Sequence, residues 1–292
     1  MGCEDAMSSA ARSGAEITEE ESLAVRFYMG DPQAVSSGPW RGGGDAYNTI
    51  NALLHPGFAN ELDKAREGRA FGLEDPRQLK DYLRLIMLIF SAMEKYRRAH
   101  GSRAAGKTCR IDRLSSLKRF EAENGVISGF FSTCRYGFLP RYARQKAGIV
   151  LLEVTRDPQV PYLDFSELFA QLYAKPEEAE LLIPFGTVIE DCERLEMSPE
   201  EEKIYADMNG SPPRGKYLLS LRRGDYRALS DEECREKYEY ITSGSSFARA
   251  AGCMSALCRN IMPDEQEAAF YGKWKSCIAD YTAAAADRIL RG

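Results

Sequence analysis

The sequence of 292 residues is 44% hydrophobic and 28% charged, a composition typical of a globular protein that buries a sizeable core in one or two domains. Forty-four acidic residues against 39 basic ones give a formal net charge of −5, which argues against nucleic acid as an electrostatic partner. Eight cysteines without a Cys-x-x-Cys pair indicate reduced thiols, and two histidines offer no zinc cluster.

The N-terminal region combines an aperiodic segment with helix-starting signals. Residues 1–17 are small and polar, and they are predicted to form a disordered tail without the basic end and apolar core of a Sec-type signal peptide. The stretch from Thr18 to Glu21 is a capping box, which predicts the first helix. A second helix is predicted to carry Tyr47 and Asn51.

The longest helix is predicted over residues 77–99. Its apolar residues recur at three- and four-residue steps and therefore form one stripe that packs on a core: Leu79, Tyr82, Leu83, Ile86, Ile89, Phe90 and Met93. The most apolar part of this helix contains Arg84 and is too short to cross a bilayer, so no membrane span is expected.

From residue 108 the sequence changes to short β-like runs, followed by a helical C-terminal part. The predicted strands are 108–112, 126–133, 148–155, 180–183, 186–192 and 216–222. Helical segments are predicted at 114–123, 165–173, 198–208 and 246–261, with further helices beginning near Ser230 and Pro263. Helices followed by irregularly spaced strands predict an α+β fold rather than a doubly wound parallel sheet.

These patterns predict three parts of the chain. They are a disordered tail at 1–17, a mixed domain at 18–228 and a helical C-terminal extension at 229–292. For the extension, structural support of the mixed domain is favoured, and partner docking is the alternative.

The stretch from Pro176 to Gly186 carries the most informative pattern, and two interpretations compete. As a helix start, Pro176 would lie in the first turn beside acidic residues. As a strand, the apolar run 181–183 would place Glu178 and Glu180 on the same face, because side chains alternate along a strand. Two neighbouring carboxylates indicate a chemical site, or else a solvated run of charges.

The order of motifs around this stretch resembles a known enzyme family. Arg110 in a β-like run, then Ser132 and Thr133 after an aromatic residue, then Glu178-x-Glu180 are similar to the mono-ADP-ribosyltransferase toxins and effectors with an Arg–Ser–Glu core. The segment from Tyr47 to Leu54 resembles the Tyr-x-x-Ile-Asn-x-x-Leu helix of the actin-modifying binary toxins and the Rho-modifying exoenzymes: Tyr47, Ile50, Asn51 and Leu54. The resemblance spans residues 18 to about 223.

The resemblance implies a fold and a reaction. The implied fold has N-terminal helices packed on a split two-sheet antiparallel β core, with the C-terminal helices as an extension. The implied reaction transfers ADP-ribose from NAD, as co-substrate, to a protein side chain of a host or target cell, and it needs no metal. The alternatives are an NAD glycohydrolase and a catalytically silent protein-binding module. The expected location is that of a secreted virulence effector without a cleavable signal peptide, or the cytoplasm.

The resemblance also implies roles for individual residues. Glu180 would stabilise the cation-like ribose carbon, and Glu178 would orient the acceptor, with arginine favoured. Arg110 would hold the pyrophosphate or ribose, although a surface salt bridge with a nearby acid is the alternative. Ser132 would brace the site, whereas Thr133 next to it looks more structural.

A basic loop after Ser132 completes the implied NAD site, and some neighbouring positions depart from the family. Phe138 would stack on nicotinamide or else fix the loop to the core, and Arg141 would contact phosphate. Ile111 stands where the family usually has glycine, although the Arg-x-Asp that follows is closer to the cholera-type enzymes. Cys109 and Cys134 replace an aromatic residue and a second serine, which puts the branch of the family and the acceptor in question.

Overall fold

The computed structural model describes residues 16–40, 46–55, 73, 75–101, 106–122, 124–135, 137–138, 148–168, 179–259 and 261–292. Most of the predicted tail lies outside this range. The chain divides into two compact units. One unit is built from Met93–Asp225 and contains the β-strands, and the other combines Thr18–Ala92 with Tyr226–Gly292 and is helical.

The elements alternate between helices and strands in the middle of the chain. Ten helices are described: α1 (Glu19–Tyr28), α2 (Pro32–Ser37), α3 (Ala46–Leu54), α4 (Pro76–His100), α5 (Leu114–Ala122), α6 (Phe165–Leu168), α7 (Pro199–Asn209), α8 (Asp231–Thr242), α9 (Gly244–Cys258) and α10 (Glu265–Arg291). Seven strands are described: β1 (Thr108–Arg113), β2 (Phe131–Cys134), β3 (Ile149–Arg156), β4 (Leu163–Asp164), β5 (Glu180–Ile183), β6 (Val188–Leu195) and β7 (Lys216–Arg222).

The strands form one seven-stranded mixed sheet in the order β4-β5-β2-β1-β3-β7-β6. Strands β1 and β3 pair over six residues, whereas β1 and β2 meet at a single pair, Cys109 opposite Cys134. We call this single-pair junction the seam. It joins a three-stranded part, β4-β5-β2, to a four-stranded part, β1-β3-β7-β6.

The buried centre of the sheet lies on β3, whose residues from Ile149 to Leu152 are at most 1% exposed. Near-continuous apolar residues suit a strand that is covered on both faces. One cluster joins this strand to its neighbours, with Phe138 and Met197 packed against it: Ile111, Ile149, Leu151 and Tyr205. Helix α7 follows a complete capping box at Ser198, and Gly210 caps its C-terminus with a φ of 74°, the left-handed value that glycine tolerates.

The helical unit is held by capping boxes and by a core around α10. The side chains of Thr18 and Ser230 each accept a hydrogen bond from the amide of the glutamate three residues later, and their own amides donate to that glutamate's carboxylate. Trp274 is fully buried on α10, and its Nε1 donates to the backbone oxygen of Ile241 at 3.1 Å. On the same helix Lys275 is 2% exposed, and its Nζ donates to the backbone oxygen of Ala52.

The mixed helix-and-strand architecture with a C-terminal helix is confirmed. The expectation of antiparallel pairing throughout is wrong at β3 and β7, which run parallel. Parallel strands need a long crossover, and here β4, α6, β5, β6 and α7 lie between them in the chain. The compact units also group the N-terminal helices with the C-terminal ones, an association between distant segments that periodicity does not reveal.

Candidate functional site

Three adjacent strands carry the residues that the motif order singles out. Arg110 lies on β1, Ser132 on β2 and Glu180 at the start of β5. The pair Cys134–Glu180 aligns β2 with β5, and Cys109–Cys134 aligns β1 with β2, so Cys109, Cys134 and Glu180 form one row across the seam. The structure therefore brings residues about 70 positions apart in the sequence to the same region of the sheet.

The Arg110 guanidinium lies at the seam, held by three contacts. Its Nε donates to Asp112 Oδ2 at 2.6 Å, its Nη1 donates to the backbone oxygen of Ser132 at 2.6 Å, and its Cζ lies 4.6 Å from the centre of the Phe131 ring. Among the described residues, Nη2 has no hydrogen-bond partner. Because 30% of the side chain remains exposed, the guanidinium retains donors that solvent or a ligand can reach.

The alternation of the antiparallel ladder explains why Arg110 can bind Ser132. The amide of Arg135 donates to the backbone oxygen of Ala179, so Arg135, and every second residue before it on β2, directs its polar backbone groups toward β5. Ser132 alternates with these residues, so its carbonyl is directed away from β5 and toward β1. Because β1 and β2 pair only at Cys109–Cys134, the guanidinium takes the place of a missing ladder bond.

Asp112 fixes the orientation of the Arg110 guanidinium by accepting a hydrogen bond from its Nε. Its side chain is 12% exposed and accepts from Ser116 Oγ at 2.6 Å and from the Arg113 amide at 2.8 Å, besides Arg110. Burial raises the pKa of Asp112, but the charge of Arg110 and these hydrogen bonds outweigh it and lower the pKa below its ordinary value. The salt bridge that the sequence suggested at the surface is thus a mostly buried, hydrogen-bonded pair.

Ser132, Cys134 and Glu180 share a face of the sheet, while Arg110 and Thr133 alternate to the other face and only the guanidinium turns into the seam. Glu180 is half-buried. Thr133 is 1% exposed, and its Oγ1 donates to the backbone oxygen of Leu181 at 3.2 Å. Thr133 therefore links β2 to β5, and no part of its side chain remains open to a ligand.

Backbone strain lies directly before Glu180 and has no signal in the sequence. Ala179 has a φ of 39°, and Asn124 is the other non-glycine residue with positive φ in the described part of the chain. Asparagine tolerates this left-handed region, but alanine pays for its Cβ there. The Ala179 carbonyl accepts from the Arg135 amide at 3.1 Å, so the end of β2 holds the strained residue.

Phe138 packs on the core, as the second of its two predicted roles requires. It lies against the cluster that contains Ile111 and Tyr205, and Lys216 Nζ lies 5.7 Å from the centre of its ring. Lys216 also pairs with Glu153 at 3.1 Å and with Glu201 at 2.7 Å. These contacts favour a role for Phe138 in fixing the loop to the core over a stacking role.

Four residues singled out by the sequence do not contribute to this arrangement as the structure describes it. Glu178 and Arg141 lie outside the described residues. Tyr47, 41% exposed, and Asn51 belong to the helical unit, where the Tyr47 ring meets the Tyr28 ring edge-on and Asn51 Nδ2 donates to the Tyr28 hydroxyl at 3.4 Å.

Comparison of the sequence with protein-family models and with curated proteins gives no match. Within the described residues, no group of three or more histidine, cysteine or acidic side chains is arranged to hold a metal ion. Over the same residues, no helix combines the length and the apolar character that crossing a membrane requires.

Proposed function

We propose that this chain is a mono-ADP-ribosyltransferase that transfers ADP-ribose from NAD to a protein side chain, with arginine as the favoured acceptor and nicotinamide as the released product. The observation that carries the proposal is that Arg110, Ser132 and Glu180 lie on three adjacent strands, β1, β2 and β5, and that the Arg110 guanidinium bonds the backbone oxygen of Ser132. Their motif order alone predicts a common site, and a coincidental order gives no reason for the strands that carry them to be neighbours.

The seam also supports a finer fold proposal. One residue pair joins the three-stranded and four-stranded parts of the sheet, which is the arrangement expected where a β core divides into two sheets. We propose that the two parts are the halves of an ADP-ribosyltransferase-like core. At such a split, backbone groups that a continuous ladder would pair are open to side chains and ligands. The partly exposed Arg110 guanidinium lies at this junction.

The reaction breaks the bond between ribose C1′ and the nicotinamide nitrogen. The bonding electrons leave with nicotinamide, so C1′ becomes cation-like, as the sugar does in glycoside hydrolysis. The carboxylate of Glu180 stabilises that charge and hydrogen-bonds the ribose. The acceptor nitrogen then donates its lone pair to C1′, and its proton passes to a carboxylate or to water. A carboxylate aimed at developing charge contributes to the rate because it interacts most strongly in the transition state.

Arg110 suits the anionic part of NAD. Its planar guanidinium binds phosphate oxygens through two parallel N–H groups, and Asp112 and the Ser132 carbonyl already restrict its rotation. This preorganisation lowers the entropy lost on binding. The accessible fraction of the side chain, at 30%, leaves room for such a contact.

Incubation of the full chain with labelled NAD and a cell lysate tests the proposal. We expect label on discrete protein bands, and we expect mass spectrometry to locate ADP-ribose on an arginine. Glu180→Gln should lower nicotinamide release by roughly 100- to 1,000-fold, since loss of one group that stabilises transition-state charge typically costs that much. Glu193→Gln is the matched control, because Glu193 is an exposed strand glutamate on β6.

The possible results separate the three functions. Free ADP-ribose with no labelled protein identifies a glycohydrolase. Nicotinamide release that is the same in Glu180→Gln and in the wild type contradicts the catalytic role of Glu180. Absence of release from the wild type with any lysate contradicts the proposal as a whole and favours a protein-binding module.

A further inference from the structure

Two cysteines face each other across the seam. Cys109 on β1 and Cys134 on β2 form the single pair that joins these strands, and neither is in a disulfide. Cys109 is 9% exposed and Cys134 is half-buried. Both are immediate neighbours of groups at the candidate site, since Cys109 precedes Arg110 and Cys134 lies opposite Glu180.

The backbone geometry is compatible with a bond between them. Cys134, like Ser132, directs its polar backbone groups toward β1, so Cys109 and Cys134 are a hydrogen-bonded pair. The Cα atoms of such a pair lie about 5.5 Å apart, within the range of about 4.4–6.8 Å that disulfides span. Facing Cβ atoms are about 4.5–5.5 Å apart and must approach by about 1 Å to reach disulfide distance. A one-pair junction permits this shift, because no neighbouring ladder bonds between β1 and β2 resist it.

We propose that Cys109 and Cys134 form a reversible disulfide that crosslinks the two parts of the sheet at the seam, and that a small disulfide such as glutathione disulfide is the oxidant. The bond would be strained, because the hydrogen-bonded pair holds the Cβ atoms apart. Strained disulfides are more easily reduced, and easily reduced disulfides are the labile ones suited to regulation.

The exchange proceeds in two balanced steps. The Cys134 thiolate attacks one sulfur of glutathione disulfide, which forms a mixed disulfide and releases one glutathione thiolate. The Cys109 thiolate then attacks the Cys134 sulfur and releases the second glutathione. Two protein thiols are thereby oxidised, and one glutathione disulfide is reduced to two glutathione molecules. Cys134 is the first attacker because it is the more exposed of the two, whereas burial, followed by the charge of Glu153, raises the pKa of Cys109 to about 11.

The crosslink would alter the candidate site, a consequence that rests on the proposed function. Drawing β1 toward β2 at Cys109 moves the adjacent Arg110, whose Nη1 lies 2.6 Å from the Ser132 oxygen. Moving Cys134 also moves its partner Glu180 on β5. Because a displacement of about 1 Å can lower a rate on the order of 100-fold, we expect slower nicotinamide release in the oxidised chain.

Disulfide mapping of the full chain tests the crosslink without any need for activity. The chain is equilibrated in glutathione buffers of increasing oxidised fraction, alkylated and digested, and the peptides are analysed by mass spectrometry without reduction. We expect a peptide pair that joins Cys109 to Cys134, lighter by two hydrogens than the sum of the separate peptides and abolished by dithiothreitol. Cys192→Ser is the control, because Cys192 is exposed on β6 and its loss should leave the crosslink intact.

Two results would overturn the crosslink. Cys109 and Cys134 would both remain open to alkylation in fully oxidised buffer, or either would pair with a different cysteine. Since mapping uses the wild-type chain, a folding defect in a variant cannot imitate these results.

Activity measured on the same samples tests the regulatory effect. Nicotinamide release should fall at least several-fold on oxidation and recover with dithiothreitol in the wild type and in Cys192→Ser, but it should not respond in Cys109→Ala. Unchanged release from a crosslinked chain refutes the regulatory effect. No release from the reduced chain refutes the proposed function instead, and the mapping result stands on its own.

Discussion

Arg110 in the β-sheet unit and Lys275 in the helical unit are cations that both donate to a backbone carbonyl, but their surroundings differ. Lys275 is 2% exposed and binds Ala52 in the last turn of α3, the end of a helix that attracts positive charge. Arg110 is held on one edge by Asp112 and Ser132, and 30% of its side chain remains exposed. The buried Lys275 stabilises the helical unit, whereas the partly exposed Arg110 retains N–H donors that a ligand can reach. Changes at Lys275 should therefore alter stability, and changes at Arg110 should alter activity.

The largest effect is expected from Lys275→Ala. This change removes a buried stem and the hydrogen bond to Ala52, so we expect the free energy of unfolding of the helical unit to fall by about 2–5 kcal/mol. Both tryptophans of the chain, Trp40 and Trp274, belong to this unit, so tryptophan fluorescence in urea reports its unfolding. Lys273→Ala, at an exposed lysine on the same helix whose Nζ lies 5.3 Å from the centre of the Tyr240 ring, should change stability by less than about 1 kcal/mol. Equal losses from the two variants would contradict the role assigned to Lys275.

The opposite pattern is expected from Arg110→Lys. Lysine keeps the charge but lacks the fork that can hold Asp112, the Ser132 carbonyl and a phosphate together. Nicotinamide release should fall by roughly 100-fold, consistent with the loss of a charge-assisted bidentate contact worth about 3 kcal/mol. The tryptophan unfolding transition should not move. Arg194→Lys, an exposed arginine on β6, is the control and should retain full activity. Retained activity in Arg110→Lys would show that only the charge matters there.

Local signals made much of the fold predictable. The capping boxes at Thr18, Ser198 and Ser230 each mark a helix start. All of their hydrogen bonds form within four adjacent residues: the cap side chain accepts from the N3 amide, and the N3 glutamate accepts from the cap amide. Strand β4 has no counterpart among the predicted strands, because two residues are too few to show a periodicity. The run predicted at 126–133 became an isolated bridge at Val126 and a strand that begins at Phe131, since pairing partners and not propensity decide strand limits.

The motif order proposes a set of residues for the site but not their arrangement. Arg110, Ser132 and Glu180 followed from motif order, yet the face each occupies depends on register, which only the folded sheet defines. The positive φ of Ala179 follows from how β5 begins opposite Arg135, so it has no counterpart in residue type. Burial of the Arg110–Asp112 pair depends on β1 and α5 meeting around Ser116.

Asp112→Asn tests how the stability that Asp112 contributes, as the ion-pair partner of Arg110, depends on pH. The folded pKa of Asp112 is lowered, so its stabilisation is fully present above its ordinary value of 3.8 and is lost as the pH falls through the lower folded value. The variant should be less stable than the wild type by about 1–3 kcal/mol near neutral pH, because hydrogen bonds to a charged group are lost. The difference should shrink below that ordinary value. Hydrogen exchange of β1 peptides, corrected for intrinsic rates, measures it, and a difference independent of pH would contradict the ion pair.

The smallest effect is expected from Ala179→Gly. Glycine relieves the strain of a φ of 39° but adds freedom to the unfolded chain, so the net gain in stability should be about 0.5–1 kcal/mol. Exchange protection of the Arg135 amide, which donates to the Ala179 oxygen, is the local measurement. Asn124→Gly is the control, because asparagine already tolerates its φ of 54° and should gain less. If the strain also orients Glu180, the glycine variant should be more stable and yet release nicotinamide more slowly. The backbone before β5 would then be less restricted, and the Glu180 carboxylate would be less firmly oriented. A gain in stability with unchanged release would mean that the strain serves the strand start alone.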